Sequence, residues 1–212
     1  MVKTKNPELE RERRQQIMWT VRRLLAEGSH RRMTLDLIAR EAGVSKGMLT
    51  YYFDSKDDLV SSSIAQCLDL QQMALSMVVD DESTPIPERV RRLVTIALPE
   101  REQVSQDLRF LVEVWSYAKA RPEAMAVVRD AYTRFRAACE TLIERGVERG
   151  YVRVADPRLA NVMINALLDG LSFQVALDEE LDVAILRERV LALVDALLTT
   201  PDLLAGSPSG TA

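Results

Sequence analysis

The sequence predicts an all-α protein of about nine helices, with a small N-terminal part followed by a larger C-terminal one. Three observations carry this. Apolar residues recur at spacings of three and four along the segments, and no sustained alternation of β-branched residues suggests a strand. Glycine and proline fall between the segments as punctuation. At 212 residues the chain is long enough for one or two domains and a sizeable core.

The first helix opens at Asn6-Pro7-Glu8, an N-cap followed by proline at the first helical position, and Gly28 stops it after Glu27. Ile17, Val21, Leu24 and Leu25 supply its apolar stripe. Its arginines (Arg11, Arg13, Arg14, Arg22, Arg23) read as a solvated face answered by Glu8, Glu10 and Glu12, with the helix start able to reach a phosphate backbone. Thr34 caps a short helix over Leu35–Ala42 that ends at Gly43, and Ser45 caps another over Lys46–Phe53. Ser55 caps a fourth helix reaching about Val79, with Asp57 and Asp58 placed to favour the positive end of its dipole. Asp80–Pro87 reads as a loop. Helices are then expected near Glu88–Leu98, Val104–Ala120, Pro122–Arg149, Pro157–Leu177 and Val183–Leu198. The tail from Pro201 is small and polar and is expected to fray. The domain boundaries drawn on this basis are 1–55, 56–200 and a flexible 201–212.

Composition removes several function classes. No apolar run approaches the roughly 18 residues that span a bilayer, and the N-terminus lacks the apolar core of a signal peptide, so a cytoplasmic protein without a membrane partner is expected. Cys67 and Cys139 lie far apart and outside any C-x-x-C, which argues against a disulfide framework or a zinc finger. Both read as small buried hydrophobes. His30 is the single histidine, so mechanisms needing two imidazoles are out. There is no G-x-S-x-G, P-loop or H-E-x-x-H, and no carboxylate pair set against an electrophile. An enzyme is therefore disfavoured, and neither a cofactor nor a metal is expected. The net charge of −4 hides an asymmetry: residues 1–60 carry 12 Lys+Arg against 9 Asp+Glu, a net of +3, and the rest carries 16 against 23, a net of −7. A basic segment on an acidic body suggests a small polyanion-binding module.

Residues 34–56, TLDLIAREAGVSKGMLTYYFDSK, are the informative stretch. Two short helices joined by Ala-Gly-Val-Ser fit a helix-turn-helix. Ala39 is small where the first helix must approach the second. Gly43 occupies the turn, where a positive φ is cheap only without a Cβ. Val44, Leu49 and Phe53 would plug the second helix into the core, leaving Lys46, Gly47, Met48, Thr50 and Tyr51 outside. A face of that kind can enter a major groove, with Gly47 allowing close backbone approach. Thr34, Ser45 and Ser55 are helix caps first. Caps and phosphate-binding helix ends share one geometry, so a phosphate role stays open for them.

These residues resemble the TetR-family bacterial transcriptional regulators. The matching features are the amphipathic helix with Ile17 and Leu24, then Thr34-x-x-x-Ile38-Ala39-x-x-Ala42-Gly43-Val44-Ser45, and then Gly47-x-Leu49-x-Tyr51-Tyr52-Phe53-x-Ser55-Lys56-x-x-Leu59. The match covers roughly residues 10–60. Further on, Trp115, Arg121-Pro122-Glu123, Gly146, Gly150 and Leu168-Asp169-Gly170-Leu171 are similar to the BetI-type C-terminal subgroup. The resemblance implies a homodimeric repressor on a palindromic double-stranded operator, associated with the nucleoid, whose C-terminal domain binds a small-molecule effector. By position, Lys46, Gly47, Met48 and Tyr51 would face bases, and Thr34, Ser45, Thr50, Tyr52 and Lys56 would hold phosphates. Met48 departs from the smaller polar residue often found there and would pack on a thymine methyl. Tyr52, beside Phe53, also fits the core. The alternative is a helical interaction protein that keeps the fold without binding DNA.

Two surfaces of the C-terminal part remain to be assigned. The helix from Pro122 repeats apolar residues from Met125 to Leu142 at three and four spacing, mostly as ordinary core. In the implied architecture the same face would line a cavity, which makes Phe110, Trp115, Met125, Tyr132 and Phe135 the ligand-contact candidates. The segment 157–177 is apolar nearly all round. Val162, Met163, Ala166, Phe173 and Leu177 fall on one side, and Ile164, Leu168, Leu171 and Val175 on the other, so it must be covered from two directions. A dimer interface is expected there, drawn from Val162, Ala166, Gly170, Leu171, Val190, Leu193 and Leu197. A polar row, Asn161, Asn165, Asp169 and Ser172, runs between the two sides and needs partners across the dimer, within the scaffold or on a ligand.

Overall fold

The computed structural model describes residues 7–28 and 32–200. The Asn6 cap, His30 with Arg31, and the tail from Pro201 lie outside the described residues. Among those described the chain is helical without strands: α1 Pro7–Ala26, α2 Leu35–Glu41, α3 Lys46–Tyr52, α4 Lys56–Val79, α5 Ile86–Ala97, α6 Arg101–Ala118, α7 Pro122–Glu148, α8 Pro157–Leu177 and α9 Val183–Thr199.

Two starts fall earlier than expected. α5 begins at Ile86 and takes Pro87 into its first turn, where a missing N–H breaks no helical bond. The Asp81 carboxylate, which accepts from the Ser83 and Thr84 hydroxyls, shortens the loop before it. α6 begins at Arg101, whose guanidinium donates to the carbonyls of Val175, Asp178 and Leu181. That long-range anchor at the end of α8 is invisible to a local reading.

The chain forms two compact units, and α4, α6 and α7 contribute residues to both. The first holds residues up to Gln71 together with Arg109–Ala131. Its core joins Ile17, Val21, Leu24 and Leu25 of α1 to Ile38, Leu49 and Phe53, and then to Leu59, Val60 and Ile64 of α4 and Phe110, Val114 and Tyr117 of α6. Compactness therefore extends past the expected boundary at residue 55. The two short helices α2 and α3 cannot enclose α1 alone, and α4 and α6 supply the missing wall.

The second unit holds Gln72–Leu108 and the chain from Tyr132 onward. α9 packs against α5 and α8 around Val94, Leu98, Ile143, Ala160, Leu168, Val190, Val194 and Leu198. A smaller cluster joins Leu75, Val79, Ile86 and Leu142. Gly146 in α7 permits a close approach: a Cβ there would stand 2.4 Å from Val152 Cγ2. The Tyr151 and Val152 N–H groups both donate to the Gly146 carbonyl, and the Arg153 N–H donates to Leu198 O at 2.7 Å, tying the turn after α7 to the end of α9.

α8 divides as its periodicity predicts. Leu168 and Val175 are buried and Ile164 and Leu171 partly so, whereas Val162, Met163, Ala166, Phe173 and Leu177 are exposed, the last at 79%. One expectation needs correcting. Counted with its interruptions, α8 has 21 residues and an 18-residue window of mean hydropathy 1.3, long and apolar enough by composition to cross a membrane. Its unbroken apolar runs are short because the polar row interrupts them. That row is tied inward at one end: Asn161 Nδ2 donates to Arg136 O of α7 at 2.8 Å, and Asn165 Nδ2 donates to Asn161 Oδ1 at 2.7 Å. Ser172 donates to Leu168 O of its own helix.

Candidate functional site

The helix-turn-helix is built by caps and one special backbone position. Thr34 Oγ1 accepts from the Leu37 N–H at 3.1 Å and Ser45 Oγ from the Met48 N–H at 3.2 Å, so each hydroxyl opens a helix. Both residues are exposed, and a hydroxyl that accepts from the backbone still has its proton to donate. Between the helices Gly43 adopts φ +64°, and the Val44 N–H closes the turn on Ala39 O at 2.9 Å. No atom lies within 4 Å of a Cβ built there, so backbone conformation alone reserves the site for glycine.

α3 buries Leu49, and its C-cap Phe53 is buried beside it, while Val44 is half-buried. Lys46, Gly47, Thr50 and Tyr51 face outward and Met48 is partly covered. A Cβ on Gly47 would meet only Ser45 Oγ at 3.9 Å, so the surface beside it is open. Lys46 Nζ pairs with Asp36 at 3.0 Å, Thr50 Oγ1 donates to Gly47 O, and Tyr51 Oη donates to Glu10 Oε1 at 3.1 Å. Tyr52 is half-buried against the core and meets the Tyr51 ring edge-on. Lys56 opens α4, and Ser55 Oγ caps it by accepting from the Asp58 N–H at 3.0 Å. All nine residues assigned by position to DNA contact thus lie on α3 or within a few residues of the ends of α2, α3 and α4.

Several positioning residues escaped the reading from the sequence. Gln16 Nε2 donates to Ala42 O at 2.9 Å and Arg23 pairs with Glu41 at 2.8 Å, both fixing α1 against the helix-turn-helix. Arg14 stacks over the Phe53 ring. Asp57 does more than complement the α4 dipole: its Oδ1 accepts from Tyr117 Oη at 2.8 Å and Arg121 Nε at 3.2 Å. The Tyr117 bond, with Arg121 beside it, holds the Asp57 carboxyl below its ordinary range. Burial first, and the Asp57 bond second, push the Tyr117 hydroxyl up to about 12. No local pattern signals partners 60 residues apart.

The ligand candidates are divided between the two units. Phe110 is buried in the core of the first unit and Met125 packs against it, while Trp115 is exposed. In the second unit Phe135 packs on the Leu75–Leu142 cluster. Tyr132 is exposed, with its hydroxyl bonded to Asp169; burial, opposed by that bond, raises the Asp169 carboxyl. A cavity of about 470 Å³ lies elsewhere in that unit, walled by Ile86, Val90, Tyr151, Glu188, Leu191 and Asp195, and holds none of the five. Burial raises both cysteine thiols to about 11, which makes them inert. Among the described residues no three His, Cys, Asp or Glu are grouped to hold a metal ion.

Of the expected interface residues, Val162, Ala166, Gly170 and Leu193 are exposed, and Leu171 and Leu197 partly so. Val190 is corrected. At 3% exposure it belongs to the core of its own unit, because it falls on the same side of α9 as Val194 and Leu198. The outward side carries Ile185 and Leu193 instead.

Comparison with known proteins agrees with this architecture. Residues 17–62 match the family described as bacterial regulatory proteins, tetR family, and residues 87–199 match the BetI-type transcriptional repressor C-terminal family. The HTH-type transcriptional regulator HbdR of Aromatoleum sp. (strain CIB) is 27% identical over 70% of this chain, and the match spans 63% of its own length, less than two thirds. The HTH-type nicotine-responsive transcriptional repressor HdnoR of Paenarthrobacter nicotinovorans is 26% identical over 79% of this chain and 85% of its own. A crystal structure of a transcriptional regulator from Saccharomonospora viridis in complex with choline is 25% identical and superposes with a TM-score of 0.76, over 87% of this chain and 96% of that one. With the two family matches together taking in most of the sequence, and the helix-turn-helix built as described, the chain belongs to the TetR family of bacterial transcriptional regulators, with a BetI-type C-terminal part.

Proposed function

We propose that the protein is a ligand-responsive repressor: a homodimer that holds a palindromic operator through two copies of α3 and is released by a small molecule. The observation that carries this is the exposed face of α3, with Lys46, Gly47, Thr50 and Tyr51 outward and the capping hydroxyls of Thr34 and Ser45 exposed nearby. Lys46, Gly47, Met48 and Tyr51 read bases in this scheme, and Thr34, Ser45, Thr50, Tyr52 and Lys56 hold phosphates. The Lys46–Asp36 pair is exposed, and such pairs are weak in water, so turning Lys46 toward DNA costs little. One helix-turn-helix per chain reads few base pairs, which favours a dimer with recognition helices about 34–36 Å apart. The exposed apolar sides of α8 and α9 supply a matching surface for the second copy.

Effector control is supported by the relatives, one crystallised with choline and one named for its response to nicotine. The protein works by binding rather than catalysis, in the cytoplasm and on the nucleoid, and needs no cofactor. Titrating salt against binding to random duplex DNA tests the reading. A repressor shows a steep fall in affinity as salt rises, and a flat response defeats it. Selection from a random pool should then return a palindrome.

A further inference from the structure

Among the described residues, one guanidinium inside the second unit has no carboxylate paired with it. Arg89 of α5 is 0% exposed and heads the fully buried side chains by volume. Its Nη1 donates to Val79 O, at the end of α4, at 2.8 Å, and Arg145 Nη1 reaches the same oxygen at 3.2 Å. Among the described residues Nε and Nη2 of Arg89 are buried with no acceptor. The charged neighbour is Arg145, which pairs with Asp80 at 3.6 Å, and the adjoining cluster is apolar. Ile86, Val90 and Leu93 on the same helix pack with Leu75, Val79, Phe135 and Leu142.

The pairing of the two orphan nitrogens matters. Nη1 is the terminal nitrogen on the Cδ side of the planar group, so Nε–H and Nη2–H share the opposite edge. They present two parallel donors at the spacing of carboxylate oxygens, the geometry of bidentate recognition. Arginine does not shed its charge when buried. A neutral acceptor would satisfy the donors and leave the charge uncompensated, whereas a carboxylate answers both.

We propose that the Nε–Nη2 edge of Arg89 recognises the carboxylate of the effector, whose apolar body enters the cluster of α4, α5 and α7 residues around Phe135. The effector class is then an organic acid with an apolar body, opposite in charge to the choline of the Saccharomonospora relative. This rests on the chain being a ligand-responsive regulator and adds the chemistry that triggers it.

The test is thermal melting of the full chain with benzoate and hexanoate, against benzamide, hexanamide and choline. At saturation the carboxylates should raise the wild-type midpoint by roughly 5 °C and the amides and choline should not. Arg89→Met should melt at or above the wild-type temperature without additive, since it removes an unpaired buried charge, and should ignore the carboxylates. Arg89→Lys keeps the charge but offers no fork, so its shift should be smaller. Equal shifts in wild type and Arg89→Met, or no carboxylate shift beyond that of the amides, would overturn the proposal. If Arg89→Met does not fold, the ¹⁵N Nε–H resonance of Arg89 in the wild type decides, and a signal unmoved by both acids is equally fatal. Random-duplex binding is measured on the same preparations. Steep salt dependence with inert carboxylates removes this inference alone, and a flat salt response removes the regulator reading beneath it.

Discussion

The outward faces of α3 and α8 differ in kind. α3 turns Lys46, Gly47, Thr50 and Tyr51 to the surface, each polar or small, over a buried Leu49. α8 turns Val162, Met163, Phe173 and Leu177 outward over a buried Leu168 and Val175. Both are amphipathic toward their own unit, so burial of the inner face cannot explain the contrast. In the proposed scheme the outer face answers the partner each helix meets, DNA for α3 and a second copy for α8. A surface meeting phosphates and base edges stays hydrated until it binds, while one meeting another protein surface carries the apolar excess that marks a contact site.

The widest break in this comparison comes from charging the apolar face. Leu193→Glu, at a residue 50% exposed, should leave the fold intact yet raise the dimer dissociation constant by about 100-fold or more, since a charge at an interface core is strongly disfavoured. Analytical ultracentrifugation measures this directly, and a variant still dimeric at micromolar concentration ends the interface assignment. Operator affinity should fall with it. On the polar face the changes are smaller and selective. Lys46→Ala or Tyr51→Ala should each cost about 1–3 kcal/mol of discrimination between operator and scrambled duplex, whereas Lys56→Ala should weaken both equally. The opposite pattern would exchange their roles.

Gly43→Ala probes the scaffold of that face. With open space around the position, only the left-handed backbone is penalised, by roughly 1–2 kcal/mol, read in a melting curve. The smallest effect is Tyr117→Phe, which removes one hydrogen bond to Asp57 and should cost about 1 kcal/mol near neutral pH. Its pH dependence has a definite sign. Asp57 is depressed in the folded chain, so its contribution is complete above the ordinary carboxylate pKa of about 4 and fades as pH falls further. The Tyr117 hydroxyl is raised, so its contribution holds below about 10 and is lost as pH climbs toward about 12. The gap between wild type and variant should close at both extremes.

Legibility followed sequence distance. The helix-turn-helix was readable because caps, turn glycine and plug residues act within a few positions of one another, as Thr34, Gly43, Ser45 and Leu49 show. The two sides of α8 were readable because helical periodicity sorts them without knowledge of neighbours. What escaped depends on contacts between distant segments. Val190 shares an apolar stripe with Leu193, and only its packing with Val94 and Leu168 shows which one points inward. Phe110 and Phe135 belong to different cores although both read as aromatic positions on long helices. Nothing in the run ERVRR distinguishes the buried Arg89 from Arg91 and Arg92, which are exposed.

The close approach at Gly146 bears on how the end of α9 opens. Because Arg153 N–H holds Leu198 O, and the turn carrying Arg153 is held in turn on the Gly146 carbonyl, the last turn of α9 cannot fray as an isolated terminus would. Its amides should exchange with solvent as one cooperative group with those of Tyr151 and Val152. A methyl at position 146 would lift Val152 and uncouple the two, turning a concerted opening into independent fraying within reach of Leu193.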